Sequence, residues 1–179
     1  FFFIKFNFSY NGGTAENPID FPDLEAFGNN NYTKELDDLE SILDWVSDNS
    51  DYKNELDIHD ISLIGHSRGG GIVLLKATED IRVKKVISLA AVSDIGARSS
   101  VIGDLENWKK KGVKYVINGR TKQQMPHFYQ FYENFKENKE RLNIQKAVEK
   151  ISIPQLLIHG NKDTSIFIDE AYNIHSWNA

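Results

Sequence analysis

A serine with glycines two positions away on either side, Gly65-His66-Ser67-Arg68-Gly69, offers the most specific chemistry in this chain. Composition alone produces such a pattern in roughly one chain of this size in twenty, so its weight comes from its position. The apolar run Ile61-Ser62-Leu63-Ile64 leads into it and Ile72-Val73-Leu74-Leu75-Lys76-Ala77 leaves it, which predicts strand, tight turn, helix. In that turn the serine is held in a strained conformation. Side chains two before and two after would collide with the neighbouring strand and helix, so both positions want glycine. Ser67 Oγ then projects as a nucleophile from a strand's carboxyl end. The Arg68 backbone N–H, at a helix N-terminus, is aimed to donate to a developing oxyanion. The same residues also fit a glycine-rich turn with an idle serine. The Arg68 side chain is expected near the mouth of the site, where it pairs either with a local carboxylate or with an acidic group of a substrate.

A second candidate follows the apolar run Ile153-Pro154-Gln155-Leu156-Leu157-Ile158. Asp163 comes just past that strand's carboxyl end, the edge where open α/β sheets bind ligands, and an acid there can orient and stabilise the imidazolium of a catalytic histidine. A turn-forming aspartate is the plainer alternative. Asn161-Lys162-Asp163-Thr164 lacks the spacing of a guanine-recognition motif, and no phosphate-binding glycine loop accompanies it, so nucleotide binding is excluded. His175 is the one histidine after Asp163, but it falls in a stretch expected to be helical, residues 167–177. His59, His66, His127 and His159 lack metal-ligand spacing, and Asp57 with His59 makes only two ligands. No metal and no cofactor are expected.

These residues need elements to carry them. Residues 2–8 are apolar and end at the turn-forming Asn11-Gly12-Gly13, which predicts a strand entering a loop over 11–31. Leu36, Leu39, Ile42, Leu43 and Val46 recur at a helical period, which predicts an amphipathic helix from about residue 33. Ten acids against one lysine between Glu35 and Asp60 read as its solvated face and the loop beyond. Residues 83–91 read as another strand. Strands alternating with helices imply a mostly parallel sheet covered on both faces. Residues 93–150 are too long for a simple crossover and read as an inserted cap. In it, residues 114–117 enter a hairpin through an Asn118-Gly119 type I′ turn, and residues 126–138 and 143–150 look helical. Its aromatics, Trp108, Tyr115, Phe128, Tyr129, Phe131, Tyr132 and Phe135, either line an apolar acyl pocket or form the cap's own core. The whole chain reads as a single domain, residues 1–179.

With 40% hydrophobic residues and only four prolines, 179 residues can bury a core, and disorder is excluded. The absence of cysteine removes disulfides and thiol catalysis, and a formal charge of −5 gives no support to nucleic-acid binding. No apolar run approaches the ~18 residues that span a bilayer. The chain opens on Phe1 without an initiator methionine and reads as cut inside a domain.

On the order strand, glycine loop, helix, Gly65-His66-Ser67-Arg68-Gly69-Gly70, strand, insertion, and Ile158-His159-Gly160-Asn161-Lys162-Asp163, the sequence resembles the α/β-hydrolase family. The elbow most resembles small serine esterases and dienelactone-hydrolase-like proteins. The resemblance covers essentially the whole chain. It implies a doubly wound, mostly parallel α/β sheet, with Ser67 as nucleophile, Asp163 as triad acid and Arg68 N–H as oxyanion donor. It further implies a fragment: the catalytic histidine is expected beyond Ala179, and the second oxyanion donor before Phe1. The expected activity is hydrolysis of carboxylic esters or related acyl compounds through an acyl-enzyme, with a small-molecule substrate, no nucleic acid and a cytoplasmic location. A non-catalytic binding module of the same fold, or an acyltransferase using the same serine, are the alternatives.

Overall fold

The computed structural model describes residues 2–48, 51–52, 54–100 and 104–178. Two short segments precede the main sheet. Residues 2–8 join no strand ladder, contrary to the strand expected there, because no partner strand among the described residues meets their backbone groups. Phe6 and Phe8 nevertheless pack against the core. The stretch expected to be all loop contains a short helix, α1 (Leu24–Gly28), whose N-cap Asp23 accepts from the Ala26 N–H.

Helix α2 (Tyr32–Asp48) buries Leu36, Leu39, Leu43 and Val46 on one stripe, as the period requires. Strand β1 (Ile61–His66), helix α3 (Arg68–Glu79) and strand β2 (Val83–Leu89) follow, then α4 (Ile95–Ser100), α5 (Leu105–Lys111), β3 (Val113–Ile117), β4 (Gln124–Phe128), α6 (Gln130–Glu137), α7 (Ile144–Val148), β5 (Gln155–Ile158) and α8 (Asp169–Ser176). The main sheet has the order β1-β2-β5, all parallel. Placing α3 between β1 and β2 is what makes that pair parallel.

Helix α3 is buried from Gly70 to Lys76. Its Lys76 ammonium lies 3.2 Å from Glu40 and 3.6 Å from Glu79, which lets a lysine sit in the core. The register rows Ile64–Ile87–Leu156 and His66–Leu89–Ile158 run across the other face. There Ile64, Leu156 and Ile158 are 49%, 51% and 49% exposed, so the expected cover on both faces is not met among the described residues.

Between β2 and β5 a separate antiparallel pair, β3–β4, forms, with Ile117 opposite Gln124. The connection therefore runs from 118 to 123 and is not a two-residue turn. Asn118 Oδ1 accepts from the Arg120 and Thr121 N–H groups, and the positive φ falls at Lys122. Pro126, expected to open a helix, pairs with Tyr115 inside β4, and the helix starts later, at Gln130. The aromatics of this stretch largely pack on one another: Trp108 and Phe131 are buried, and the Trp108 ring meets Tyr129 and Tyr132. No helix of the described residues is long and apolar enough to cross a membrane.

Candidate active site

Ser67 joins β1 to α3 with φ 55° and ψ −119°, a region where a non-glycine residue is strained. Four backbone bonds hold it there. Its N–H donates to Leu89 O at 2.8 Å, and its carbonyl accepts from Gly70 N–H at 3.0 Å, Gly71 N–H at 3.3 Å and Val92 N–H at 3.3 Å. The turn is thereby tied to the end of β2 from both sides. The hydroxyl does not cap α3, which leaves Oγ for other chemistry.

The tightness of this turn falls unevenly on its glycines. A Cβ on Gly65 would lie 2.2 Å from the Gly69 carbonyl oxygen, and one on Gly70 would lie 2.6 Å from the Ala91 Cβ. A Cβ on Gly69 would meet nothing within 4 Å. The expected collision therefore holds two residues before the serine but not two after. The helix-side constraint sits at Gly70, where α3 crosses the end of β2.

Asp163 lies just past β5, so it shares the carboxyl edge of the sheet with Ser67, with β2 between them. Its Oδ1 accepts from the Ser165 N–H at 2.8 Å and the Ile166 N–H at 2.9 Å. These bonds, aided by the nearby His159 and His66, hold its carboxyl below its ordinary range, so it is ionised at neutral pH. His159 is engaged through Nε2 with Ile166 O at 2.8 Å. Helix α8 is fastened to the same edge by Glu170, which accepts from the Ser93 N–H at 2.6 Å.

The Arg68 side chain takes the local-carboxylate alternative. Its Nε donates to Glu35 Oε2 at 3.0 Å and its Nη2 lies 2.6 Å from Oε1, while Cζ stands 4.6 Å and 5.0 Å from the Tyr32 and Phe131 ring centres. Glu35 is only 2% exposed, which corrects its assignment to a solvated helix face. Burial raises its pKa, opposed by Arg68 and by the Asn30 amide that donates to Oε1 at 2.8 Å. The sequence holds a sign of this. Glu35 stands three residues after Tyr32 and four before Leu39, inside the apolar stripe.

Of the remaining histidines, His66 shares the open sheet face with Leu89 and Ile158, and His59 is exposed before β1. His175 is exposed on α8. His127 lies in β4, not at a helix start, edge-on to Phe27 and Phe131. No group of three metal-ligating side chains occurs among the described residues. A cavity of about 360 Å³ opens between α4, α6, α7 and α8, lined by Asp94, Phe135, Lys139 and Trp177 among others, and neither Ser67 nor Asp163 lines it.

A three-stranded parallel core with a strained strand-to-helix serine is the architecture of the α/β-hydrolase fold, and solved structures agree. The esterase domain of a Rhodothermus marinus protein superposes with a TM-score of 0.53 at 22% identity, over 85% of this chain and 56% of that one. Est1E from Butyrivibrio proteoclasticus gives 0.60 at 20%, over 83% and 57%. A monoacylglycerol lipase from Paleococcus ferrophilus gives 0.58 at 17%, over 84% and 62%. The chain thus spans less than two thirds of the length of these structures. No curated protein sequence matches it. The BD-FAE family model matches residues 22–177, and the chain belongs to that family.

Proposed function

We propose that this chain carries the nucleophile and acid of a serine hydrolase acting on carboxylic esters or related acyl compounds. The observation that supports this most is Ser67 itself. A non-glycine residue at φ 55° costs of order 1–3 kcal/mol, and the cost falls at a hydroxyl presented on the sheet's carboxyl edge.

Ser67 Oγ attacks the acyl carbon, and its proton passes to a histidine acting as general base. Asp163, ionised and fixed by two backbone N–H groups on Oδ1, orients that imidazole and stabilises its protonated form. The Arg68 N–H, at the start of α3, donates to the oxyanion of the tetrahedral intermediate. One such donor lowers the barrier by about 3 kcal/mol. Collapse expels the alcohol, and water then attacks the acyl-enzyme by the same route. The cap over residues 93–150 bounds the acyl side, although its aromatics are mostly spent on its own packing.

A fluorophosphonate probe tests this on the full-length protein. Labelling at Ser67 that disappears in Ser67→Ala is the expected result. Equal labelling of the variant would remove Ser67 as nucleophile.

A further inference from the structure

The backbone bonds at Ser67 run only to the start of α3 and to the end of β2 and the residues just after it. Beside it stands Arg68, the next residue, whose guanidinium is clasped between two rings and a carboxylate. That carboxylate comes from α2, an element with no backbone bond to the turn. Glu35 is 2% exposed while the Arg68 side chain keeps a third of its surface. A carboxylate is seldom buried this deeply without a specific use, since losing water costs several kcal/mol. The helix's other acids remain at its surface or partly so. Both Glu35 oxygens are occupied: Oε2 by Arg68 Nε, and Oε1 by Arg68 Nη2 and the Asn30 amide. Asn30 is in turn held by Gln130 of α6, whose amide donates to the Asn30 carbonyl at 2.8 Å. A chain of polar contacts therefore runs from α6 through Asn30 and Glu35 to the residue whose N–H would face the oxyanion.

We propose that Glu35 is a positioning residue, which through Arg68 fixes the backbone at 67–68 and so aims both Ser67 Oγ and the Arg68 N–H. This rests on Ser67 being the nucleophile. Glu35 touches no substrate. Its effect is on how often the two reacting groups of the turn are in register with a bound ester, which enters kcat rather than KM. Misplacing a catalytic group by about 1 Å can cost on the order of 100-fold in rate.

The test uses the full-length protein with Glu35→Gln, which keeps the side chain's shape and removes its charge, and Glu35→Gln/Arg68→Met, which removes the buried pair together and avoids an orphaned charge. Two readouts are taken: hydrogen exchange of peptides spanning 65–71 against those covering β5, and kcat and KM on a p-nitrophenyl ester. For both variants we expect exchange at 65–71 about tenfold faster with β5 within twofold, and kcat down about 10- to 100-fold with KM within twofold. Adding Arg68→Met to Glu35→Gln should cost little more, because the two act as one unit.

Exchange at 65–71 and kcat both within twofold of wild type in either folded variant would overturn the proposal. So would exchange that accelerates evenly across the whole chain, the mark of a merely structural pair. If Glu35→Gln does not fold, the double variant decides alone. Ester hydrolysis surviving in Ser67→Ala would instead refute the nucleophile assignment, and the exchange arm would still judge the Glu35–Arg68 clasp.

Discussion

His127 offers a quantitative handle on acid stability. Its ring is edge-on to Phe27 and Phe131, with centroids 5.5 and 5.7 Å away, and Trp108 Nε1 donates to its backbone carbonyl at 2.8 Å. Burial, with the Arg68 and Lys114 charges beyond, pushes its pKa from 6.5 down to about 4. The folded form therefore refuses a proton that the unfolded chain accepts. Stability from this group is complete above about pH 6.5 and is lost as pH falls toward 4. By linkage, the loss between pH 7.5 and pH 5 is about 2 kcal/mol, worth roughly 4–8 °C in Tm for a chain of this size. Glu35 runs the other way: its raised pKa makes folding gain as pH drops, so the raw pH profile mixes both. Comparison with His127→Phe, which keeps an aromatic ring and cannot titrate, isolates the histidine. Urea unfolding at the two pH values should show wild type losing about 2 kcal/mol more than the variant. A difference below about 0.5 kcal/mol, or of opposite sign, would refute a neutral, partly buried His127.

Gly65→Ala places a methyl 2.2 Å from the Gly69 carbonyl oxygen, backbone against backbone, and should cost about 3 kcal/mol or more by denaturant unfolding. Gly69→Ala meets nothing within 4 Å and should be neutral or stabilise by up to about 1 kcal/mol, so the pair of substitutions separates space from motif. Asp163→Asn retains an Oδ1 acceptor for the Ser165 and Ile166 N–H groups. Its Tm should hardly move, while acylation of the full-length protein by a chromogenic ester falls about 1,000-fold or more.

What the sequence revealed follows from how local each cause is. The strand-turn-helix around Ser67 was legible because its period, its glycines and its apolar runs all lie within twenty residues, and the same holds for β2, β5 and α8. Asp163 was reached from the strand before it. Glu35 was not read as buried, because its counter-charge on Arg68 is brought near only by packing α2 on α3. Asn118-Gly119 predicts a two-residue turn, which the Asn118 side chain overrides by bonding the backbone at 120 and 121. Residues 2–8 have strand composition, yet a strand is made by a neighbour, and composition does not supply one.

Parallel pairing of β2 with β5 across the whole insertion also sets an order of events. The Ser67 turn is built from β1, α3 and β2, elements close in sequence whose loops are cheap to close. Asp163 can take its place only after the long excursion through α4 to α7 has been folded back, which is slow by the usual relation between sequence separation and rate. During folding, and during emergence from the ribosome, the β1–α3–β2 segment around Ser67 therefore comes together before Asp163 is brought to the same sheet edge.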